Sequence, residues 1–494
     1  ILIASYDWGS TDGDMPEYGS LDVYTGRFAR KGAVPLMNAA IIADHQGEAR
    51  IAFSDDVDMR RKVLLRSGSS NDWNAMIVKD AGDAILTPLA FARDNRHIYA
   101  RMSEPNGPDG LYRIDTQAGT RELLYRGAAD PAGLIGTRDG EDYFAVITAA
   151  GIDGTHVFDA QSPDARLLRA LKASFKDQQV LISNFTRDGN TALVSVFSDR
   201  NPGDIYLFDV DRMAADHVSS PRRWIDPEQM SPTTPIRFKA RDGVELNGYL
   251  TIPKGSDGKN LPLVVNPHGG PFGIRDTWAF DAEPQLLASR GYAVLRVNFR
   301  GSGGYGRAFQ ESGYRQWGGT MQDDLTDATR WVIAQGNADA KRICIYGASY
   351  GAYAALRGAV KEPDLYQCAI GYVGVYDLRL MLTRGDIPDS TYGKNFLAET
   401  LGADSDALWA NSPASQIDRL KAKVMLIVGG KDERAPPVHS ERLRSELEKR
   451  KVEHVWLYKP NEGHGFYVEE NNIELYTQML ALLDETIGAR RVVD

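Results

Sequence analysis

Ser349 lies in a pentapeptide that is typical of a catalytic nucleophile. Residues 347–351 read Gly-Ala-Ser-Tyr-Gly, which fits the pattern G-x-S-x-G, with a strand-like apolar run before them and a helix-like run after them. A sharp turn between strand and helix holds the serine hydroxyl clear of the sheet, and flanking glycines let the two elements approach closely. The start of the helix also favours negative charge that develops beside the serine. The alternative is a tight glycine turn with an idle serine.

A serine hydroxyl is a weak nucleophile, so a base must take its proton and an acid must orient that base. In α/β-hydrolases the acid and then the histidine follow the serine along the chain. Asp432 follows the apolar run 424–428, and His464 stands between two glycines after the run 455–458. Both positions are ends of predicted strands, where an open α/β sheet places its ligands. We therefore predict Asp432 as the acid and His464 as the base, with Asp377 as a second candidate acid.

The oxyanion that forms during acyl transfer needs two hydrogen-bond donors. The backbone N–H of Tyr350, directly after the nucleophile, is the first predicted donor. The second is expected from the loop after the run 263–266, which reads Pro-His-Gly-Gly-Pro. We predict the N–H of Gly270 as this donor, with Gly269 as the alternative.

Three further residues are candidates for contact with a substrate. Val375 and Leu378 follow the strand after the serine turn and are candidates for lining a side-chain pocket. Arg434, two residues past the predicted acid, is either a ligand for a substrate carbonyl or carboxylate or an ordinary surface cation. His439 and His454 lie on or beside a charged helix, and we expect both at the surface.

The elements that would position these residues follow position 230 or so. Near-continuous apolar runs predict strands at 263–266, 292–299, 342–346, 369–373, 424–428 and 455–458, and amphipathic runs predict helices at 322–335, 438–451 and 473–487. Strands that are apolar on both faces and alternate with helices indicate a mostly parallel sheet covered on both sides. We predict an α/β-hydrolase catalytic domain over residues 232–494.

The first 230 residues show short alternating runs separated by turns instead. Similar extended runs are marked by Val23, Leu64, Tyr112, Val157 and Tyr206, at steps of 41, 48, 45 and 49 residues. A period of 40 to 50 residues built from short strands is typical of a β-propeller with four strands per blade. We predict a propeller of about five blades over residues 1–231, with an irregular all-β domain as the alternative. Since Ile1 already lies in a strand-like run, we expect the propeller to be truncated at its N-terminal side.

Composition excludes some classes of protein. The 57 Lys and Arg against 67 Asp and Glu give a formal net charge of −10, which argues against nucleic acid as a main partner. No apolar run reaches the roughly 18 residues of a membrane span, so we expect a soluble protein of the cytoplasm or periplasm. Cys344 and Cys368 lie in apolar runs and are expected to be buried free thiols. Exposed edges of propeller strands would permit a homo-oligomer.

Residues 301–306 read Gly-Ser-Gly-Gly-Tyr-Gly and fit the dinucleotide-binding pattern G-x-G-x-x-G. However, no apolar helix follows at once, and the acids about 20 residues further on, Asp323 and Asp324, start a helix rather than end a strand. None of the eight histidines forms H-E-x-x-H, and C-x-x-C is absent. We therefore expect neither a nucleotide cofactor nor a metal.

The motifs of the second region as a set resemble the prolyl oligopeptidase family of serine peptidases, in its acylaminoacyl-peptidase and dipeptidyl-aminopeptidase branch. The matching segments are 268–271 (His-Gly-Gly-Pro), 298–306, 317–324, 347–351, 431–436 and 462–466 (Glu-Gly-His-Gly-Phe). The resemblance implies a triad of Ser349, Asp432 and His464, with Tyr350 and Gly270 as oxyanion donors. It also implies a propeller that admits only short or unfolded peptides.

Two departures bear on the substrate that the resemblance implies. His268 stands where the better-known prolyl oligopeptidases and dipeptidyl peptidases carry a tyrosine, which weakens a strict prolyl specificity. No glutamate pair in residues 1–230 matches the acids with which dipeptidyl peptidases hold a substrate amine. The resemblance thus implies an acylaminoacyl-peptidase-like enzyme that releases N-acylated amino acids or cleaves oligopeptides through an acyl-enzyme. A dipeptidyl aminopeptidase, a carboxylesterase and a non-catalytic propeller interaction protein are the alternatives.

Overall fold

The computed structural model describes residues 1–6, 13–67, 72–148, 151–152 and 154–488. Within these residues, the chain up to Ser219 forms five small antiparallel sheets, each made of three or four consecutive strands. The strands are β1 (Leu2–Ser5), β2 (Glu17–Leu21), β3 (Phe28–Ala33), β4 (Ala40–Ala43), β5 (Ala49–Asp55), β6 (Arg61–Arg66), β7 (Trp73–Ala75), β8 (Ile85–Phe91), β9 (His97–Ser103), β10 (Gly110–Asp115), β11 (Arg121–Tyr125), β12 (Pro131–Gly136), β13 (Tyr143–Thr148), β14 (Thr155–Val157), β15 (Gln179–Phe185), β16 (Thr191–Phe197), β17 (Asp204–Asp209) and β18 (Ala214–Ser219). Small meandering sheets that repeat along the chain are the blades of a propeller.

One element of this region departs from the all-β expectation. Helix α1 (Pro163–Ser174) lies between β14 and β15, and the Ser162 side chain caps it by accepting the N–H of Asp164. Its buried face includes Leu168 and Leu171, which join the core between the last two small sheets. With only about three turns, its helical period is too brief to stand out against the strand-like sequence around it.

The rest of the chain builds one eight-stranded sheet with the order β19-β20-β22-β21-β23-β24-β25-β26. These strands are β19 (Thr233–Lys239), β20 (Glu245–Thr251), β21 (Leu261–Val265), β22 (Ala293–Asn298), β23 (Ala338–Ala348), β24 (Cys368–Tyr372), β25 (Lys423–Gly429) and β26 (His454–Lys459). Strand β20 pairs antiparallel with both β19 and β22. The remaining neighbours pair parallel, so the six strands β22, β21, β23, β24, β25 and β26 all run in one direction. Every residue of β22 and β24 is buried, as their continuous apolar sequences predict.

Helices cover both faces of this sheet. They are α2 (Ala282–Ala288), α3 (Arg307–Glu311), α4 (Thr320–Ala334), α5 (Tyr350–Lys361), α6 (Thr391–Thr400), α7 (Ser405–Ala410), α8 (Val438–Lys449) and α9 (Glu469–Ile487). Residues of α4, α5 and α8 belong to one apolar core, and residues of α2 and α9 belong to a second core. The sheet is therefore sandwiched between two helical layers, which is the predicted α/β arrangement. Among the described residues, none of the helices has the length and apolar character that a bilayer span requires.

The small antiparallel sheets give way to the large sheet within a short segment of the chain. The last strand of the small sheets ends at Ser219, and the first strand of the large sheet begins at Thr233. We propose residues 1–231 as the propeller region and residues 232–494 as the hydrolase domain, because the sheet type changes between these two strands.

The glycine-rich loop 301–306 joins the two regions. The N–H of Gly306 donates to the carboxylate of Asp130 over 3.2 Å, and the N–H of Asp130 donates to the carbonyl oxygen of Gly304 over 2.9 Å. A Cβ on Gly306 would collide with the carbonyl oxygen of Gly107. The sequence that imitates a dinucleotide fingerprint therefore serves as a close interdomain contact.

Cys344 on β23 and Cys368 on β24 correct the expectation of free thiols. The two residues are direct neighbours in the parallel ladder, with their Cα atoms 4.7 Å apart, and a disulfide bond joins them. Both are buried, as expected. The two cysteines are 24 positions apart in the sequence, and only the register of the two strands brings them together.

Candidate active site

Ser349 occupies a strained turn between β23 and α5. Its φ of 58° and ψ of −120° lie in a region that non-glycine residues rarely adopt. Its N–H donates to the carbonyl oxygen of Tyr372 on the neighbouring strand over 2.9 Å. A Cβ at Gly347 would lie 2.6 Å from the carbonyl carbon of Gly351, and a Cβ at Gly351 would collide with the carbonyl oxygen of Pro267. Both glycines of the motif are therefore required by close backbone packing.

Of the two candidate acids, Asp432 is the one that contacts His464. Asp432 follows β25, is only 3% exposed, and places its two carboxylate oxygens 2.8 and 3.0 Å from Nδ1 of His464. The N–H groups of Arg434 and Ala435 donate to the same carboxylate over 3.0 and 2.8 Å. This pairing fixes the proton of the imidazole on Nδ1 and leaves Nε2 able to accept a second one.

Asp377 has a different set of partners. It is fully buried and accepts hydrogen bonds from Nε and Nη2 of Arg379 over 2.9 and 2.8 Å, while Nε of Arg442 lies 2.9 Å away. Burial raises the pKa of this carboxyl, but the hydrogen bonds from Arg379 and the positive charges of Arg379 and Arg442 together outweigh burial, and the net pKa is lowered. Asp377 is thus an ionised carboxylate that organises two arginines.

The loop that carries His464 is closed by Glu462. This side chain is 2% exposed, and its carboxylate accepts the N–H groups of Tyr467 and Val468 over 2.8 and 3.0 Å. Its carbonyl oxygen accepts the N–H of Lys431, the residue before the acid, over 2.8 Å. The loops of the acid and the base therefore form one hydrogen-bonded unit. Sequence reasoning gave Glu462 no role, although an acid two residues before a glycine-flanked histidine is a signal for such a clamp.

The proposed oxyanion donors lie on two segments that meet at the serine. Tyr350 is the first residue of α5, so its N–H has no acceptor within the helix. A Cβ on Gly269 would lie 3.5 Å from the Cβ of Ser349, which shows that this loop passes directly beside the nucleophile. Gly270 follows with a φ of 108°. The choice of Gly270 over Gly269 as the second donor stays a prediction.

The three candidate substrate contacts differ in exposure. Val375 and Leu378 are buried in the core of the hydrolase domain, and Leu378 lines a cavity of about 350 Å³ together with Trp317. Arg434 is half exposed and donates to both oxygens of Asp386 over 2.6 and 2.8 Å. A substrate carboxylate would have to compete with Asp386 for this guanidinium.

None of the other three histidines of the hydrolase domain is fully exposed, although His439 and His454 were expected at the surface. His439 is 1% exposed, and burial lowers its pKa to about 4, so the prediction that it lies at the surface is wrong. His454 is partly buried, with Nδ1 3.0 Å from the carbonyl oxygen of Val452. His268 is partly buried as well, with Nε2 2.8 Å from the hydroxyl of Ser302, and burial lowers its pKa. The imidazole of His268 is therefore neutral near physiological pH.

Comparison with known proteins points to the family that the sequence motifs resemble. Residues 278–490 match the sequence model of the prolyl oligopeptidase family. The chain is 30% identical over 445 residues to dipeptidyl aminopeptidase BIII of Pseudoxanthomonas mexicana, across 86% of this chain and 63% of that protein. The resemblance of this part of the chain to the prolyl oligopeptidase family is thereby confirmed. The chain is also 27% identical over 290 residues to the acylamino-acid-releasing enzyme of Mus musculus, across 54% of this chain and 39% of that enzyme.

Solved structures share the fold at low sequence identity. A puromycin-hydrolyzing peptidase of Mycobacterium tuberculosis aligns with a TM-score of 0.72 at 20% identity, across 100% of this chain and 78% of that one. An acylaminoacyl peptidase of Pyrococcus horikoshii aligns with a TM-score of 0.65 at 18% identity, across 100% of this chain and 70% of that one. The predicted fold class, an α/β-hydrolase preceded by a propeller, is thereby confirmed. The chain spans 63% and 61% of the length of two of its curated relatives.

Proposed function

We propose that this protein is a serine peptidase that hydrolyses short peptides through an acyl-enzyme at Ser349. The observation that carries this proposal is the contact between Nδ1 of His464 and the buried carboxylate of Asp432. The two loops that carry these residues are hydrogen-bonded to each other. The strained serine turn on a neighbouring strand supports it, because backbone strain of this kind is retained where function requires it. The family of the hydrolase domain supports it as well.

Each residue has a defined task in the proposed mechanism. Oγ of Ser349 attacks the substrate carbonyl carbon while Nε2 of His464 takes the hydroxyl proton. Asp432 holds Nδ1–H and stabilises the imidazolium that forms. The N–H groups of Tyr350 and Gly270 donate to the oxyanion of the tetrahedral intermediate. His464 then gives its proton to the leaving amine, and a water activated in the same way hydrolyses the ester at Ser349.

For the substrate, we favour peptides with an acylated N-terminus or internal peptide bonds. Neutral His268 in place of the family's tyrosine, and the lack of a matching glutamate pair in residues 1–230, support this choice over a free N-terminus. A dipeptidyl aminopeptidase is the second candidate, favoured by the 30% identity to dipeptidyl aminopeptidase BIII. For that activity the propeller would have to offer a carboxylate for the free amine.

Replacement of the nucleophile tests the mechanism. In Ser349→Ala we expect peptide turnover to fall by roughly 10⁴- to 10⁶-fold, because the triad acts as a unit. The unfolding midpoint of the variant should stay near that of the wild type. A fluorophosphonate probe should label the wild type at Ser349 and leave the variant unlabelled. Peptide hydrolysis that survives the substitution within about tenfold would contradict the assignment, and an unlabelled wild type would favour a non-catalytic interaction protein.

A substrate panel separates the remaining alternatives. We expect kcat/KM on an N-acetyl-aminoacyl amide to exceed kcat/KM on the matching free dipeptidyl amide. The reverse order would identify a dipeptidyl aminopeptidase. Turnover of a simple ester without turnover of either amide would identify a carboxylesterase. The same leaving group in all three substrates makes the comparison depend on the acyl part alone.

A further inference from the structure

We propose that Tyr372 is a positioning residue that couples the nucleophile turn to the histidine loop. Tyr372 is the last residue of β24, next to the strand that leads to the serine. Its carbonyl oxygen accepts the N–H of Ser349 over 2.9 Å, and its phenol oxygen accepts the N–H of Phe466, two residues past His464. One residue therefore contacts the segments of both the nucleophile and the base. This inference rests on the proposed function.

The backbone after Tyr372 holds it in this place. Val373 has a φ of 47°, which is an outlier for a β-branched residue. Its N–H nonetheless donates to the carbonyl oxygen of Ile427 on β25 over 2.8 Å. The chain thus turns sharply directly after Tyr372 while it stays bound to the strand that leads to Asp432. Strain that persists at such a point indicates that the surrounding structure determines the conformation.

The phenol oxygen of Tyr372 is the acceptor for a buried backbone N–H group. Tyr372 and Phe466 are 9% and 7% exposed, and their rings meet edge to face with centroids 5.2 Å apart. The N–H of Phe466 is a buried donor, so the loss of its acceptor leaves it unsatisfied. Removal of the phenol oxygen therefore disturbs the loop at this one hydrogen bond and keeps the ring contact.

The position of His464 depends on one contact to its imidazole ring and another to the backbone that follows it. Asp432 holds the imidazole ring, and Tyr372 holds the backbone two residues later. Gly465 between them has a φ of 139°, a conformation that other residues rarely adopt. Glu462 holds the backbone from Tyr467 onwards, so loss of the Tyr372 anchor frees the short segment between His464 and Tyr467. The loop can then shift at Gly465, and the imidazole moves relative to Ser349. A displacement of about 1 Å in a catalytic site costs about 100-fold in rate.

The variant Tyr372→Phe tests the coupling, and Tyr376→Phe is the matched control. Tyr376 lies four residues further along and is fully buried, and its hydroxyl has no hydrogen-bond partner within the part of the chain that the structure describes. We expect kcat per fluorophosphonate-titrated site to fall about 10- to 100-fold in Tyr372→Phe, with KM within about threefold. In Tyr376→Phe we expect both constants to stay within about twofold. Amide hydrogen exchange over residues 464–468 should be faster in Tyr372→Phe alone.

The outcomes distinguish the positioning role from a structural role and from a wrong function. If Tyr372→Phe keeps kcat per titrated site within about twofold of Tyr376→Phe, the coupling is refuted. A loss of titratable sites with unchanged kcat per site would also refute it, since Tyr372 would then serve stability alone. If the wild type neither turns over substrate nor takes the probe, the proposed function fails. Unchanged amide exchange over residues 464–468 in Tyr372→Phe would then refute the coupling independently.

Discussion

The hydrolase domain and the propeller region differ in where they place unfavourable backbone conformations. In the propeller region, residues with positive φ such as Asn38, Asp80 and Asn95 are types that tolerate the left-handed region, and they lie in turns and bends. In the hydrolase domain, Ser349 and Val373 have positive φ at the ends of adjacent buried strands. Met59 and Met213 also have positive φ in the propeller region, so most but not all of its turns follow local preferences. Ser349 and Val373 differ from all of these because they lie at the ends of buried strands. Strained backbone persists only where the surrounding structure and function maintain it. The strained strand ends of the hydrolase domain therefore mark the proposed active site.

Glu104 in the propeller region and Glu283 in the hydrolase domain are stabilised in different ways. In the propeller region, hydrogen bonds from Arg126 and Tyr112 hold the pKa of the partly exposed Glu104 at about 2. In the hydrolase domain, burial raises the pKa of Glu283, which accepts the hydroxyls of Tyr346 and Tyr476 over 2.7 and 2.8 Å. Acid should therefore weaken the propeller region through groups such as Glu104. The buried carboxyl of the hydrolase domain is better able to bind a proton.

The largest expected effect lies at the strand ends of the hydrolase domain. Asp432→Asn should lower kcat by about 10⁴-fold, because the amide no longer favours the required imidazole tautomer or stabilises the imidazolium. Steady-state kinetics on the preferred peptide measures this loss.

Asp377→Asn is the control, because it removes an equally buried carboxylate at the end of the neighbouring strand. It frees Arg379 and Arg442 from their partner, so we expect a lower unfolding midpoint with a kcat change below about tenfold. A larger loss of kcat in Asp377→Asn than in Asp432→Asn would reverse the assignment of the acid.

Local patterns explain how much of this could be predicted from the sequence. The glycines of the serine turn and the apolar runs of the strands express constraints between residues close in sequence, and the predicted fold is confirmed. Tyr372 contacts Phe466 across 94 residues, and Cys344 meets Cys368 only through strand register. Such pairs have no local signature. His439 was misjudged because the charged residues of α8 conceal that helix's buried face.

A smaller effect is expected where the propeller region meets the hydrolase domain. The buried carboxylate of Asp130 accepts the N–H groups of Gly306 and Asp109 over 3.2 and 2.8 Å. Asp130→Ala leaves two buried donors unsatisfied, at about 1–3 kcal/mol each. The contact should loosen, and kcat/KM for long peptides should rise about three- to tenfold relative to short ones. Turnover of a small ester should change little, since the residues of the proposed triad lie elsewhere.

Asp139→Ala is the matched control for this contact. Asp139 is a half-exposed propeller carboxylate paired with Arg93, so its loss should change stability by less than about 1 kcal/mol. The ratio between long and short peptides should then stay as in the wild type. If Asp130→Ala lowers the unfolding midpoint without changing this ratio, the contact holds the fold together but does not control access.

The smallest expected effect is the pH dependence that Glu104 gives to the propeller region. Its folded pKa of about 2 lies below the unfolded value of about 4.3. The ionised group therefore adds stability above about pH 4.3, and this contribution is lost as the pH falls towards 2. Its size should be below about 1 kcal/mol, because the ion pair is partly exposed and screened.

Denaturant unfolding of Glu104→Gln and wild type from pH 7 to pH 2.5 should show a difference in the free energy of unfolding that shrinks through this window. Glu122→Gln, at an exposed position on β11, should show none. A difference that instead grows as the pH falls would mean that protonated Glu104 is the stabilising form, and the contrast between Glu104 and Glu283 would not hold.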